Sequence, residues 1–139
     1  MKRRTFITIT LAASIATPAA FAMDKSTLDY KNGLVKELLA EGKTVFIDYT
    51  TDWCSTCASQ RRKMTKLRDE NAAYDANITF VSVDYDKFGN RAIANDYRVP
   101  RRSTLIALKG DQELGRIVAG TGLNEIKALM DAALNAATS

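Results

Sequence analysis

The chain has 139 residues, enough for one domain and too few for two, since domains typically take about 100–150 residues. Its 20 basic and 16 acidic side chains give a formal charge of +4, and it contains no histidine. Without an imidazole it can build no serine triad, no cysteine–histidine nucleophile and no histidine-ligated metal catalyst.

Lys2, Arg3 and Arg4 precede an apolar run over 6–20 that closes on Ala20-Phe21-Ala22, the small-x-small pattern of a leader cleavage site. We expect residues 1–22 to be an export signal peptide and residues 23–139 to be the folded domain. The run is shorter than the about 20 apolar residues of a membrane span, and Thr8, Thr10, Ser14 and Thr17 dilute it. Arg3-Arg4-Thr5-Phe6 resembles a twin-arginine signal, whereas Lys2 and Thr8 fit an ordinary secretory leader. Both routes leave a bacterial cytoplasm, so the expected location is the periplasm. Removing Lys2, Arg3 and Arg4 with the leader leaves 117 residues and a formal charge of +1. The basicity therefore belongs to targeting and argues for no nucleic-acid partner.

In the remaining chain, Ser26-Thr27-Leu28-Asp29 resembles a capping box, and Leu28, Leu34, Val35, Leu38 and Leu39 predict a first helix that Gly42 stops. The β-branched and aromatic run over 44–49 predicts a buried strand ending just before the cysteines. Residues 55–71 lack Gly and Pro and set Cys57, Met64 and Leu67 on one side, which predicts an amphipathic helix beginning at the cysteine pair. A second strand over 78–84 then requires a parallel crossover. A short helix is predicted over 92–97. Runs over 104–108 and 113–118 flank Lys109-Gly110-Asp111-Gln112, the composition of a hairpin turn. Beyond Gly120-Thr121-Gly122, Ile126, Leu129, Met130, Ala133 and Leu134 mark a closing helix with Asn124 as its cap and a frayed tail from Asn135. This order, α-β-α-β-α-β-β-α, predicts an α/β fold with a mixed four-stranded sheet flanked by helices.

Both cysteines lie in Trp53-Cys54-Ser55-Thr56-Cys57. A structural bridge closing so short a loop would contribute on the order of 2 kcal/mol, little help to a domain with this much apolar sequence. Two thiolates can also hold Cu(I), with Met64 as a third sulfur, which would make the protein a metal carrier; a closed zinc site would need four ligands. Redox exchange is the third reading. Residues three apart on a helix lie about 5–6 Å from one another, a separation that a disulfide spans without moving the backbone. At a helix N-terminus the sulfur of Cys54 would meet unpaired N–H groups and the positive end of the dipole, which favours its thiolate. Cys57, one turn further in, is then placed to attack a mixed disulfide from within. Asp84 and Asp86, at a strand end, read as solvated loop residues.

Asp48, the Trp53-Cys54-x-x-Cys57 motif, the element order and the later Ser103-Thr104-Leu105-Ile106-Ala107-Leu108 strand together resemble the thioredoxin family across nearly the whole exported chain. The resemblance implies a thioredoxin-like fold and a protein-disulfide oxidoreductase that needs no cofactor and no metal. Cys54 is the implied nucleophile, Cys57 the resolving thiol, and Asp48 a buried carboxyl that moves the proton of Cys57. An acid inside the apolar run 45–49 should have a raised pKa, which fits that role. Trp53, Arg102 and Ser103 are the expected substrate-contacting residues, with the loop 99–103 presenting a backbone edge.

Two departures from the family pattern stand out. Ser103 occupies the place of a cis-proline, so a trans bond or a strained exception is expected there. No charge lies in Phe80-Val81-Ser82-Val83, where a lysine often accompanies the aspartate. Arg61, Arg62, Lys63, Lys66 and Arg68, with Arg98, Arg101 and Arg102, read either as a basic rim or as the wet face of a helix. Ser55-Thr56 between the cysteines, with no histidine to hold the thiolate, leans toward a reducing potential. A reductant in an oxidising compartment implies a membrane thiol-electron donor as partner, beside protein substrates with disulfides; a monomer is expected.

Overall fold

A computed structural model describes residues 27–139. The predicted leader, 1–22, and Ser26 of the capping box lie outside the described residues. Five strands and six helices follow one another as β1 (Leu28–Asp29), α1 (Leu34–Ala40), β2 (Thr44–Thr50), α2 (Ser55–Glu70), α3 (Ala73–Asn77), β3 (Ile78–Asp84), α4 (Tyr85–Phe88), α5 (Ala92–Asn95), β4 (Thr104–Lys109), β5 (Gln112–Val118) and α6 (Leu123–Thr138). The sheet order is β1-β3-β2-β4-β5. β1, β3 and β2 are parallel, while β2–β4 and β4–β5 are antiparallel.

The sheet thus has five strands where four are predicted. Leu28 and Asp29 pair with Val81 and Ser82, and Tyr30 N–H extends the ladder to Ser82 O at 2.9 Å. Leu28 is therefore not the first turn of a helix. The break falls at Asn32-Gly33, where Gly33 takes φ 87, a left-handed conformation glycine adopts without steric penalty, and α1 starts only at Leu34. The predicted helix over 92–97 closes earlier, at Asn95, because Arg98 takes φ 52 and the chain turns back through Val99 N–H to Ala94 O. The cap of α6 is Gly122 instead of Asn124, and the helix runs from Leu123 to Thr138 without fraying, its last turn supported by Thr138 Oγ1 donating to Leu134 O.

Strand alternation divides the core between the two sheet faces. Phe46, Ile78, Phe80, Leu105 and Ala107 meet Met64 and Leu67 of α2, Tyr74 of α3, and Ile126, Leu129 and Met130 of α6. Val45, Ile47, Tyr49, Val81, Val83, Ile106 and Leu108 meet Val35 of α1 and Ile93 and Ala94 of α5 on the other face. β2 lies between β3 and β4 and is buried at all seven residues. Its rigidity fixes where the chain emerges at Thr51, three residues before Cys54.

Ile47, fully buried in β2, is expected to set much of that rigidity. Ile47→Ala should lower the unfolding free energy by about 2–5 kcal/mol in chemical denaturation. A loss below about 1 kcal/mol would contradict a close-packed central strand.

Candidate active site

The chain leaves β2 through Thr51, Asp52 and Trp53, and Cys54 forms the N-cap of α2 in an extended conformation (φ −85, ψ 111). Its Sγ accepts the Cys57 N–H at 3.2 Å, so a sulfur stands where a serine or aspartate oxygen usually satisfies a helix N-terminus. The exposed helix donors and dipole act on that sulfur. Cys57 is fully buried one turn on, and both residues are free thiols.

The loop before β4 closes on this pair. Ser103 N–H donates to Tyr49 O at 2.8 Å, and Ser103 O accepts Ala119 N–H at 2.8 Å and Gln60 Nε2 at 3.0 Å. Gln60, itself fully buried, also donates to Gly120 O at 2.9 Å. So held, Ser103 Oγ sits 3.2 Å from Cys54 Sγ and 3.0 Å from Cys57 Sγ. The expected departure from cis geometry is met by a trans peptide whose strain has moved to φ: Ser103 stands at φ 61, as does its partner Ala119. That region is unusual for any residue with a Cβ.

Burial opposes ionisation of Cys54, but hydrogen bonds from Cys57, Ser103, the Cys57 backbone N–H and Arg102 outweigh it and bring its pKa down to about 6. Arg102 adds a second contact, its guanidinium lying 4.1 Å from the centroid of the Trp53 ring. Trp53 is 62% exposed and donates from Nε1 to Asp86 Oδ2 at 2.7 Å. Asp86 is thus not the idle loop residue its sequence position suggests. Asp84 caps α4 by accepting Asp86 N–H at 3.0 Å.

Asp48 shares the α2-facing side of β2 with Phe46, and its Oδ1 has no hydrogen-bond partner among the described residues. Its neighbours across the sheet are Ser82 and Leu105, so neither strand brings a charge. Burial raises its pKa from 3.8 to about 7; Arg61 lowers it and Cys54 raises it. Arg61 therefore supplies from the helix the cation that β3 lacks, its Nη1 donating to Thr50 Oγ1 one alternation further along β2. A cavity of about 250 Å³ opens beside them, lined among others by Asp48, Arg61, Met64, Arg68 and Ser82. Arg68 leaves the basic rim altogether: it is buried over the Phe80 ring at 4.1 Å and donates to Asp75 Oδ1 at 2.6 Å and Thr27 Oγ1 at 2.9 Å. Arg62 and Lys66 are exposed on the outer side of α2, and Lys66 pairs with Glu70. Met64 belongs to the core cluster.

The structure thus gathers Cys54, Cys57, Arg102, Ser103 and Trp53 at one helix end, with Asp48 behind them on the strand. Sequence places Ser103 on the substrate-facing edge. In the fold it is fully buried, and its N–H and C=O are both hydrogen-bonded within the protein, so an incoming chain must meet its neighbours. Sequence gives Gln60 no role and reads Arg61 only as basic rim or wet face, because within a polar helix only their spacing, three and four residues beyond Cys57 on the same helix side, hints at more.

Known proteins resemble this chain in sequence and fold. The thioredoxin family profile matches residues 26–132. An H-type thioredoxin of Brassica oleracea is 26% identical over 117 residues, covering 84% of this chain and 89% of that protein. The crystal structure of Trxlp from Edwardsiella tarda superposes with a TM-score of 0.65 at 28% identity, over 75% of this chain and 98% of that one. Thioredoxin from Trypanosoma brucei brucei, with a TM-score of 0.66 at 22% identity over 83% and 96% of the two chains, supports the fold alone.

The raised Asp48 pKa carries a stability signature. An acid whose pKa is higher folded than unfolded stabilises the fold below its unfolded value and loses that contribution as pH rises through about 7. Asp48→Asn, neutral throughout, should match the wild type near pH 4 and exceed it increasingly up to pH 8, by an amount on the order of 4 kcal/mol in urea unfolding. A difference that is flat with pH would contradict a buried, neutral-leaning carboxyl.

Proposed function

We propose, from the premise that this chain belongs to the thioredoxin family and is a thiol–disulfide oxidoreductase, that it acts outside the cytoplasm as a reductant of disulfides in other proteins. The setting of the Cys54 sulfur carries this reading: a helix N-cap, with a backbone donor at 3.2 Å and a pKa of about 6, which keeps it mainly thiolate at neutral pH.

The Cys54 thiolate attacks one sulfur of a client disulfide. A mixed disulfide forms, and the other client sulfur leaves as a thiolate that takes a proton from solvent. Cys57 then gives up its proton toward Asp48, whose pKa near 7 suits it to hold and release one. The Cys57 thiolate attacks the Cys54 sulfur, the bond to the client breaks, and the second client thiolate departs. Two electrons have passed from the pair to the client, leaving Cys54 and Cys57 bridged. Trp53 and Arg102, at the rim of the pair, are the side chains a client meets first.

The reducing direction rests on Ser55-Thr56 between the cysteines and on a chain without histidine to hold the thiolate further. Export rests on the leader read over 1–22 and cleavage at Ala20-Phe21-Ala22. In the oxidising periplasm such a reductant works only if it is recharged, which assigns it a thiol-electron donor in the membrane. Acting as a monomer, it needs no cofactor for either step.

Alkylation of Cys54 by iodoacetamide should show a midpoint near pH 6, and Cys54→Ser should abolish reduction of insulin disulfides. Cys57→Ser should instead retain clients as mixed disulfides that mass spectrometry identifies. A Cys54 that titrates near its ordinary 9 and resists alkylation would overturn the proposal.

A further inference from the structure

We propose that the Ser103 hydroxyl is a catalytic group that donates its one hydrogen to whichever of the two sulfurs carries the negative charge, serving Cys54 before attack and Cys57 during resolution. The inference rests on the exchange reading and assigns to that site a group which the position's expected role, substrate contact, does not cover.

The geometry is that of a shared donor. Ser103 Oγ is 3.2 Å from one sulfur and 3.0 Å from the other. A hydroxyl has one hydrogen and two lone pairs, so it can donate to only one sulfur while accepting from the other. In the dithiol with Cys54 ionised, the charge decides the hydroxyl's assignment: Ser103 Oγ–H donates to the Cys54 thiolate, while Cys57 Sγ–H is shared between that thiolate, whose ionisation it favours, and Ser103 Oγ at 3.0 Å. A donor to an ionised acceptor is roughly twice as effective as one between neutral groups, so the hydrogen stays with the charge.

Attack on a client removes that charge. In the mixed disulfide Cys54 Sγ is neutral and bonded to the client sulfur, and the hydroxyl is released from it. When Cys57 loses its proton toward Asp48, the charge appears on Cys57 Sγ, and a rotation about the Ser103 Cα–Cβ bond aims the same hydrogen there. No atom is exchanged with the hydroxyl and no electrons pass through it. Its hydrogen bond follows the anion, lowering the barrier to making each thiolate in turn.

The backbone supports this role. Ser103 holds φ 61 although it carries a side chain, and it does so with its N–H, its C=O and the Gln60 amide all engaged. Residues kept in sparsely populated conformations by their surroundings cluster at functional sites. Here the conformation delivers a buried oxygen between two sulfurs. The other charged or titratable groups that act on the pair are Arg102, in the same loop, and Asp48 on β2, itself modulated by Arg61 of α2. Arg102 contributes to holding the Cys54 thiolate, but among the described residues only the Ser103 side chain is within hydrogen-bond distance of both sulfurs.

Ser103→Gly is the informative variant, because glycine suits φ 61 and removes only the Cβ and hydroxyl. Ser103→Ala keeps the Cβ and separates loss of the hydroxyl from any loosening of the loop. Each reduced protein, full chain, is mixed with the aromatic disulfide 5,5′-dithiobis(2-nitrobenzoate) in a stopped-flow cell. The first nitrothiobenzoate released reports attack by Cys54, and the second reports resolution by Cys57. We expect both variants to fold with unchanged circular dichroism, to raise the Cys54 alkylation midpoint by about one pH unit, and to slow the second release about tenfold or more relative to the first. If both variants leave the midpoint and the second phase as in the wild type, the shared-donor role is overturned. If only the midpoint moves, the hydroxyl serves Cys54 alone and the proposal fails as stated. A wild type that releases no second nitrothiobenzoate would refute the exchange reading itself, whereas the alkylation midpoint would still read the Ser103 contact.

Discussion

One hydrogen bond, Ser103 N–H to Tyr49 O at 2.8 Å, fastens the loop before β4 to the end of β2, and the chemistry of the molecule depends on it. Tyr49 is the penultimate residue of a strand buried along its whole length, so the carbonyl it offers cannot wander. Its hydroxyl is anchored in turn, donating to Ile93 O at 2.7 Å on the opposite face. From that fixed point the loop brings an oxygen to the two sulfurs, while Gln60 reaches back from α2 to clasp the same residue and Gly120 beyond β5. Three segments distant in sequence are thereby tied at the mouth of one helix.

The electrostatics divide between surface and interior. At the helix end, a sulfur is drawn toward ionisation by backbone and side-chain donors despite its cover. Behind it, Asp48 is driven toward neutrality by burial, with a helix arginine partly restoring its charge. The two groups come to lie within about one unit of neutral pH from opposite directions. Both values result from position in the fold rather than from the residue types.

Much of this was legible beforehand. The apolar run over 44–49, the uninterrupted polar helix after Cys54 and the hairpin around Gly110 each carry one consistent pattern over several residues, and each forms within a residue or two of where that pattern places it. β1 was not legible: two residues carry no period, and their strand state comes from pairing with β3, a partner distant in the chain. The short helices α3 and α4 escaped because about one turn is too short to display a helical period. At the site, the cysteines and Asp48 announce themselves by motif, and the missing proline flagged position 103. That a serine would take a left-handed conformation and span both sulfurs depends on the clasp from Gln60 and Ala119, which no local pattern encodes. Likewise a run of basic residues on α2 does not reveal which members fold inward; Arg61 and Arg68 do, over Thr50 and Phe80.

The stacking of Arg102 on Trp53 reaches into spectroscopy. The chain has a single tryptophan, and its indole lies beside Cys54 in sequence, beneath a guanidinium that also acts on that sulfur. When the thiolate charge vanishes on oxidation, the field across the ring changes, and no second indole dilutes the response. The protein therefore carries a built-in optical gauge of its own electron count, readable as an emission change without label or coupled enzyme.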